Sequence, residues 1–258
     1  GVKYKYKSQY YVKNEFYTNH GRQYIWSAKT YSSDGSLKTQ QYSQGWTYDR
    51  PVLAVPSFEN YVEFLLINKV FSLDNFFNVE TDNLMINIEE IDFEWFDYSE
   101  VTSFEKAFKG LTNLKKINFK SNWKRCDAEK PPKNNRPRPK VLTSMLEGCI
   151  NLVSVDLSGF DTSLVEDMSS LLNGCEELKA LDISNFFFKS ENVSHNMLLG
   201  VQNLLYIGID NITGFTDQIT SLEIFTNSQN LVVCQDQPKI STTKELCCDN
   251  EVVDGEIK

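Results

Sequence analysis

Gly174-Cys175-Glu176-Glu177-Leu178-Lys179-Ala180-Leu181-Asp182-Ile183-Ser184-Asn185-Phe186 decides the reading of this chain, because the phrase recurs at a fixed interval on both sides. Gly148, Gly174 and Gly200 stand 26 residues apart, each inside an apolar segment and each followed by the same strand pattern. Gly110 precedes Gly148 by 38 residues, one period plus twelve. An earlier copy survives as a strand, since Asn87-Ile88-Glu89-Glu90-Ile91-Asp92-Phe93 lies 26 residues before Asn113-Leu114-Lys115-Lys116-Ile117-Asn118-Phe119. Self-similarity at such a period marks a solenoid.

Within one copy, Leu152, Val155 and Leu157 point one way while Val153, Ser154, Asp156 and Ser158 are free to face water, which predicts a short half-buried strand. Phe160 turns the chain inward. Ser163 followed by Glu166 reads as a capping box, and Val165, Met168, Leu171 and Leu172 follow at helical spacing. Gly174 then stands where glycine commonly ends a helix. The expected unit is strand, turn, short helix, glycine, and only stacking buries its apolar face.

These residues carry a resemblance. Gly174 to Phe186, with Asp156-Leu157-Ser158-Gly159-Phe160-Asp161-Thr162-Ser163 before it, resembles the 26-residue repeat of BspA-type leucine-rich-repeat proteins, which are bacterial and protozoan surface proteins. Phe96, Asp97, Ser99 and Val101 match Phe160, Asp161, Ser163 and Val165. The likeness covers residues 84–234 and implies adhesion to host, matrix or neighbouring cells. The expected fold is α+β: a leucine-rich-repeat solenoid of about five 26-residue rungs, preceded by a tyrosine-rich antiparallel β region.

Outside the repeats, nine of twelve tyrosines fall in the first 48 residues, alternating with polar residues between turn signals such as Asn19-His20-Gly21-Arg22 and Ser32-Ser33-Asp34-Gly35. Residues 1–56 are therefore expected as a β region of hairpins. The strongly apolar stretch 57–83 is expected as an N-terminal cap, 84–234 as the solenoid, and 235–258 as a C-terminal cap and tail.

The insertion at 124–140 departs most from the pattern. Lys124, Arg125, Lys130, Lys133, Arg136, Arg138 and Lys140 accompany four prolines in a protein of net charge −9. Proline excludes helix and interior strand, so this is expected as an exposed arm. It suits a sulfated glycan, a phosphate-bearing surface or an acidic protein, or else it is a solvated loop tethered to the acidic run 89–100. Deleting 126–139 is expected to abolish retention on heparin without unfolding the stack.

Asp92, Asn118, Asp156 and Asp182 recur at one strand position and should stack as a ladder about 5 Å apart. Such neighbours repel, bind a cation or accept backbone hydrogen bonds. Cys149 and Cys175 share a register position with Leu111 and Val201 and are expected as buried fillers. Cys234 closing onto Cys247 or Cys248 would staple the end of the stack in an oxidising compartment. Asn192-Val193-Ser194 and Asn211-Ile212-Thr213 are glycosylation sequons.

Apolar content of 41% with 13% aromatics suffices for a core. The acidic balance argues against a nucleic-acid binder. No apolar run approaches the ~20 residues of a membrane span, and the chain reads as a mature or trimmed ectodomain. His20 and His195 join no catalytic motif, and no Gly-x-Ser-x-Gly, Walker or His-Glu-x-x-His pattern occurs. No enzyme, cofactor or metal is expected. An extracellular or cell-surface protein that recognises a protein or glycan is the first reading. A structural subunit of an extracellular filament or coat, self-associating through the N-terminal β region, is the alternative.

Overall fold

The computed structural model describes residues 2–8, 26–31, 36–42, 61–66, 71–77, 88–98, 100–120, 136–190, 193–214, 231–234, 252–253 and 256–257. These form a parallel β-solenoid of about four turns with almost no helix. One strand per rung runs through β5 (Ile88–Trp95), β6 (Lys116–Asn118), β7 (Ser154–Asp156), β8 (Ala180–Asp182), β10 (Tyr206–Gly208) and β12 (Val232–Cys234), all parallel neighbours in that order. The register follows the repeat. Val155 faces Leu181, and Asp156 faces Asp182, 26 residues on.

The sheet continues beyond β5 through four further strands: β1 (Val2–Ser8), β2 (Trp26–Tyr31), β3 (Leu37–Tyr42) and β4 (Tyr61–Leu66). Their order outward from β5 is β1, β4, β2, β3. β2 pairs antiparallel with β3 and β4, but β1 runs parallel to both β4 and β5, so this region is of mixed direction. Tyr4, Tyr6, Tyr31, Tyr42 and Tyr61 lie on these strands. Two pairs of short strands complete the set: β9 (Phe187–Phe188) with β11 (Thr213–Gly214), and β13 (Val252–Val253) with β14 (Glu256–Ile257).

The expected short helix is absent from each described repeat. In residues 165–174 the chain instead makes overlapping turns whose alternate amides leave the rung. The N–H groups of Met168, Ser170, Leu172 and Gly174 donate to the carbonyls of Val193, His195, Met197 and Leu199 at 2.8–2.9 Å. Leu142, Ser144, Leu146 and Gly148 donate likewise to Asp167, Ser169, Leu171 and Asn173. Intervening amides close four-residue turns, as Asn173 onto Ser170 and Cys175 onto Leu172. Two residues of this turn segment adopt a left-handed conformation, Ser170 at φ 54° and Gly174 at φ 74°, with Ser144 and Gly148 matching them one rung earlier. A right-handed helix cannot contain them. Lateral carbonyls take the alternate amides and local turns take others, so these backbone groups are paired without helical i→i−4 bonds.

The capping box also dissolves. Ser163 caps nothing; Asp161 caps a 3₁₀ turn at Thr162–Leu164, accepting the Ser163 N–H at 3.2 Å and the Ser163 hydroxyl at 2.6 Å. Residues 71–77 carry the same turn pattern onto the next rung, with Leu73, Asn75 and Phe77 donating to Ser103, Glu105 and Ala107.

Inward side chains make one continuous core, aromatic at one end and aliphatic at the other. Phe93, Phe119, Leu157, Ile183 and Ile209 occupy one register column, and all are buried. Cys149 and Cys175 fill another, fully buried and unbridged, their thiols donating to the carbonyls of Phe108 and Leu146 one rung back.

Candidate binding face and arm

The strand ladder is built as expected, and its side chains close the ends of their own strands. Asp92, Asn118, Asp156 and Asp182 each accept the amide two residues on, from Glu94, Lys120, Ser158 and Ser184, at 2.8–3.0 Å. Asn118 separates Asp92 from Asp156 and donates its amide to Asp92 at 3.0 Å. Lys120 meets the other oxygen of Asp156 at 2.9 Å. Burial raises the Asp156 carboxyl, but the Ser158 hydroxyl and Lys120 outweigh it and hold the group below the ordinary value. Asp182 meets no such cation among the described residues: burial, with Asp156 and Asp210 nearby, leaves it raised despite its bonds to Ser184.

The column then changes chemistry. The next position is Gly208, where a Cβ would come within 2.7 Å of the Asp182 carboxylate. Cys234 follows, buried, and with Ala180 and Tyr206 it forms a second small buried cluster. Burial and the neighbouring Cys234 push the Tyr206 hydroxyl up. Cys247 and Cys248, the expected partners of Cys234, lie outside the described residues. Among the described residues no group of three or more His, Cys, Asp or Glu side chains is placed to hold a metal ion.

Of the basic arm, Lys124, Arg125, Lys130 and Lys133 lie outside the described residues, whereas Arg136, Arg138 and Lys140 are ordered parts of a rung. Pro137 and Pro139 are buried between them. The Pro137 carbonyl accepts the Asp161 amide at 2.9 Å, Lys140 donates to Thr102 at 2.7 Å, and the Lys140 carbonyl accepts the Glu166 amide at 2.8 Å. This segment is thus stitched to the rung on each side. Arg136 and Arg138 share one oxygen of Asp161, at 3.2 and 3.0 Å. Among the described residues the tether of this segment is Asp161 on the following rung.

Asp161 was not among the expected site residues. A signal for it existed in the sequence, since 136 plus 26 is 162, which sets Arg136 beside the residue after Asp161. Its carboxyl is raised by burial and lowered by Ser163 and both arginines, and lowering prevails. A group depressed on folding stabilises above its unfolded value and stops doing so as pH falls through the folded one. Asp161→Ala is expected to cost about 1–2 kcal/mol at pH 7, since the arginines are half-exposed. The deficit should shrink below about pH 4 in denaturation curves measured across pH.

The thiols give a second check. Burial raises Cys149 well above the usual thiol range and pushes Cys175 up to about 12. Only the thiolate attacks a disulfide reagent, so both should stay unlabelled in native protein and react in denaturant. Peptide mapping that found either one labelled under native conditions would contradict the packing.

Asn211 lies exposed in a turn, and Asn192 is outside the described residues. Among the described residues no helix is long and apolar enough to cross a membrane. In comparisons with known proteins, no family model, curated protein or solved structure matches this chain.

Proposed function

We propose that this chain is a recognition protein of the cell surface or extracellular space, without enzymatic activity, that engages an anionic glycan or acidic protein through its basic arm. We also read the repeats as leucine-rich repeats of the BspA type, on the strength of the quoted phrases. The observation that carries the binding reading is the anchored root at 136–140. Two buried prolines, main-chain bonds to both neighbouring rungs and the Asp161 clamp hold it. The root holds the exposed Arg136, Arg138 and Lys140 at a fixed place on the flank, which lowers the ordering cost of binding through them. The outward strand face beside it, with Lys116, Lys120 and the Asp and Asn ladder, offers polar contacts.

The test is retention of the intact protein on heparin and on immobilised extracellular glycans and proteins, with light scattering alongside. A monodisperse protein retained in a salt-dependent way supports the reading. Concentration-dependent polymers without retention would replace it with the filament or coat subunit.

A further inference from the structure

The two turns at 185 and 211 occupy the same register position one rung apart, yet their asparagines are used differently. Asn185, at φ 67°, is exposed and donates its side-chain amide to the Ser158 carbonyl at 3.4 Å, while its N–H bonds the Asp210 carbonyl. Asn211, at φ 53°, is equally exposed, but its side-chain amide makes no hydrogen bond among the described residues. Only the second opens a sequon. Across Asn211-Ile212-Thr213 burial alternates: Asn211 and Thr213 face solvent, while Ile212 is 2% exposed and anchors the turn in the core. Thr213 is further fixed by its N–H bond to Phe186 at 2.9 Å, in the pairing of β11 with β9.

We infer that Asn211 is a modification site that carries an N-linked glycan when the chain passes through a eukaryotic secretory lumen. This rests on the extracellular reading above. In the transfer, the Asn211 Nδ2 forms a bond to the anomeric carbon of a lipid-linked oligosaccharide pyrophosphate. The anomeric C–O bond breaks, the pyrophosphate leaves with its electron pair, and the amide loses a proton. An exposed Asn211, its amide unbonded among the described residues, with Thr213 exposed two positions on, meets what the acceptor motif asks of a surface segment.

The site has a consequence for binding. Gly214 stands in the register column of Phe188, Thr162 and Arg136, three rungs from the arm root, or about 15 Å at the spacing of stacked strands. A glycan on Asn211 therefore shares the flank from which the arm departs.

The experiment is translation of the full chain, behind a cleavable secretory signal, with endoplasmic-reticulum microsomes. Protease protection reports import separately from modification, so a failed extracellular reading of the natural protein does not disturb the result. Imported chain is expected to gain a glycan that peptide-N-glycosidase removes. Asn211→Gln and Thr213→Ala should each lose it, Thr213→Ser should keep it, and Asn192→Gln should leave it in place. Imported, protected chain whose Asn211 peptide is unmodified would overturn the assignment, as would a glycan that survives Asn211→Gln on that peptide.

Discussion

Phe93→Ala is expected to lower stability by about 3–5 kcal/mol, the upper range for deleting a buried ring. Phe93 is fully buried, with the rings of Phe96, Phe108 and Phe119 at 5.2, 5.9 and 5.9 Å and that of Tyr98 at 6.0 Å. The cost depends on how far the site can collapse, and here little collapse is available. β5 is hydrogen-bonded to β1 on one side and β6 on the other, so its Cα cannot move inward without breaking a ladder. Phe119 lies almost parallel to Phe93, at 4°, and moving into the void would cost it its edge contact with Phe160 at 5.1 Å. The damage should also spread along the stack, because rungs of a solenoid are stabilised chiefly by their neighbours. Urea unfolding would read this as a large fall in midpoint, and a second transition would appear if the weakened junction uncouples the two sides. A loss below about 1 kcal/mol would mean that the aromatic column is not packed as described.

The inward strand columns were legible in the sequence, and the reason is physical. Strand positions alternate with period two and recur every rung, so Ile117, Val155, Leu181 and Ile207 announce both face and register. The turn segment was not legible. Val165, Met168, Leu171 and Leu172 point inward at intervals that a helix and a run of overlapping turns share, and spacing alone cannot separate them. What separates them is the destination of the amides, and that partner lies on another rung. Ser144 and Ser170, each four residues before a glycine, are the left-handed positions that break a helix, but serine carries no visible mark of that conformation. The ladder residues, Asn118 among them, were legible as a column, whereas Lys120, which meets Asp156, and Gly208, which leaves room for the Asp182 carboxylate, became meaningful only once adjacent rungs were aligned. The arm was seen as one basic segment and is two, because Pro137 and Pro139 look like loop prolines until their burial is known.

This division changes the deletion that tests the arm. Removing 126–139 takes fourteen residues, leaves a rung of 24 where the others have 26, and discards both buried prolines and both arginines of the Asp161 clamp. That variant should lose stability together with any binding, by several kcal/mol for the lost core contacts and orphaned backbone groups. Removing 124–135 takes twelve residues, restores the interval between Gly110 and Gly148 to 26, and keeps 136–140 in place. The neighbouring rung closes over that same length between Asp156 and Asp182, so the shortened chain has a path already proven in this stack. It deletes Lys124, Arg125, Lys130 and Lys133, four of the seven basic residues. The expected result is an unchanged melting temperature with retention on heparin abolished. Alanine at the same four positions, with length conserved, should reproduce the loss and so assign it to charge. Retention that survived both variants would move the anionic site off the arm and onto the strand face around Lys116 and Lys120.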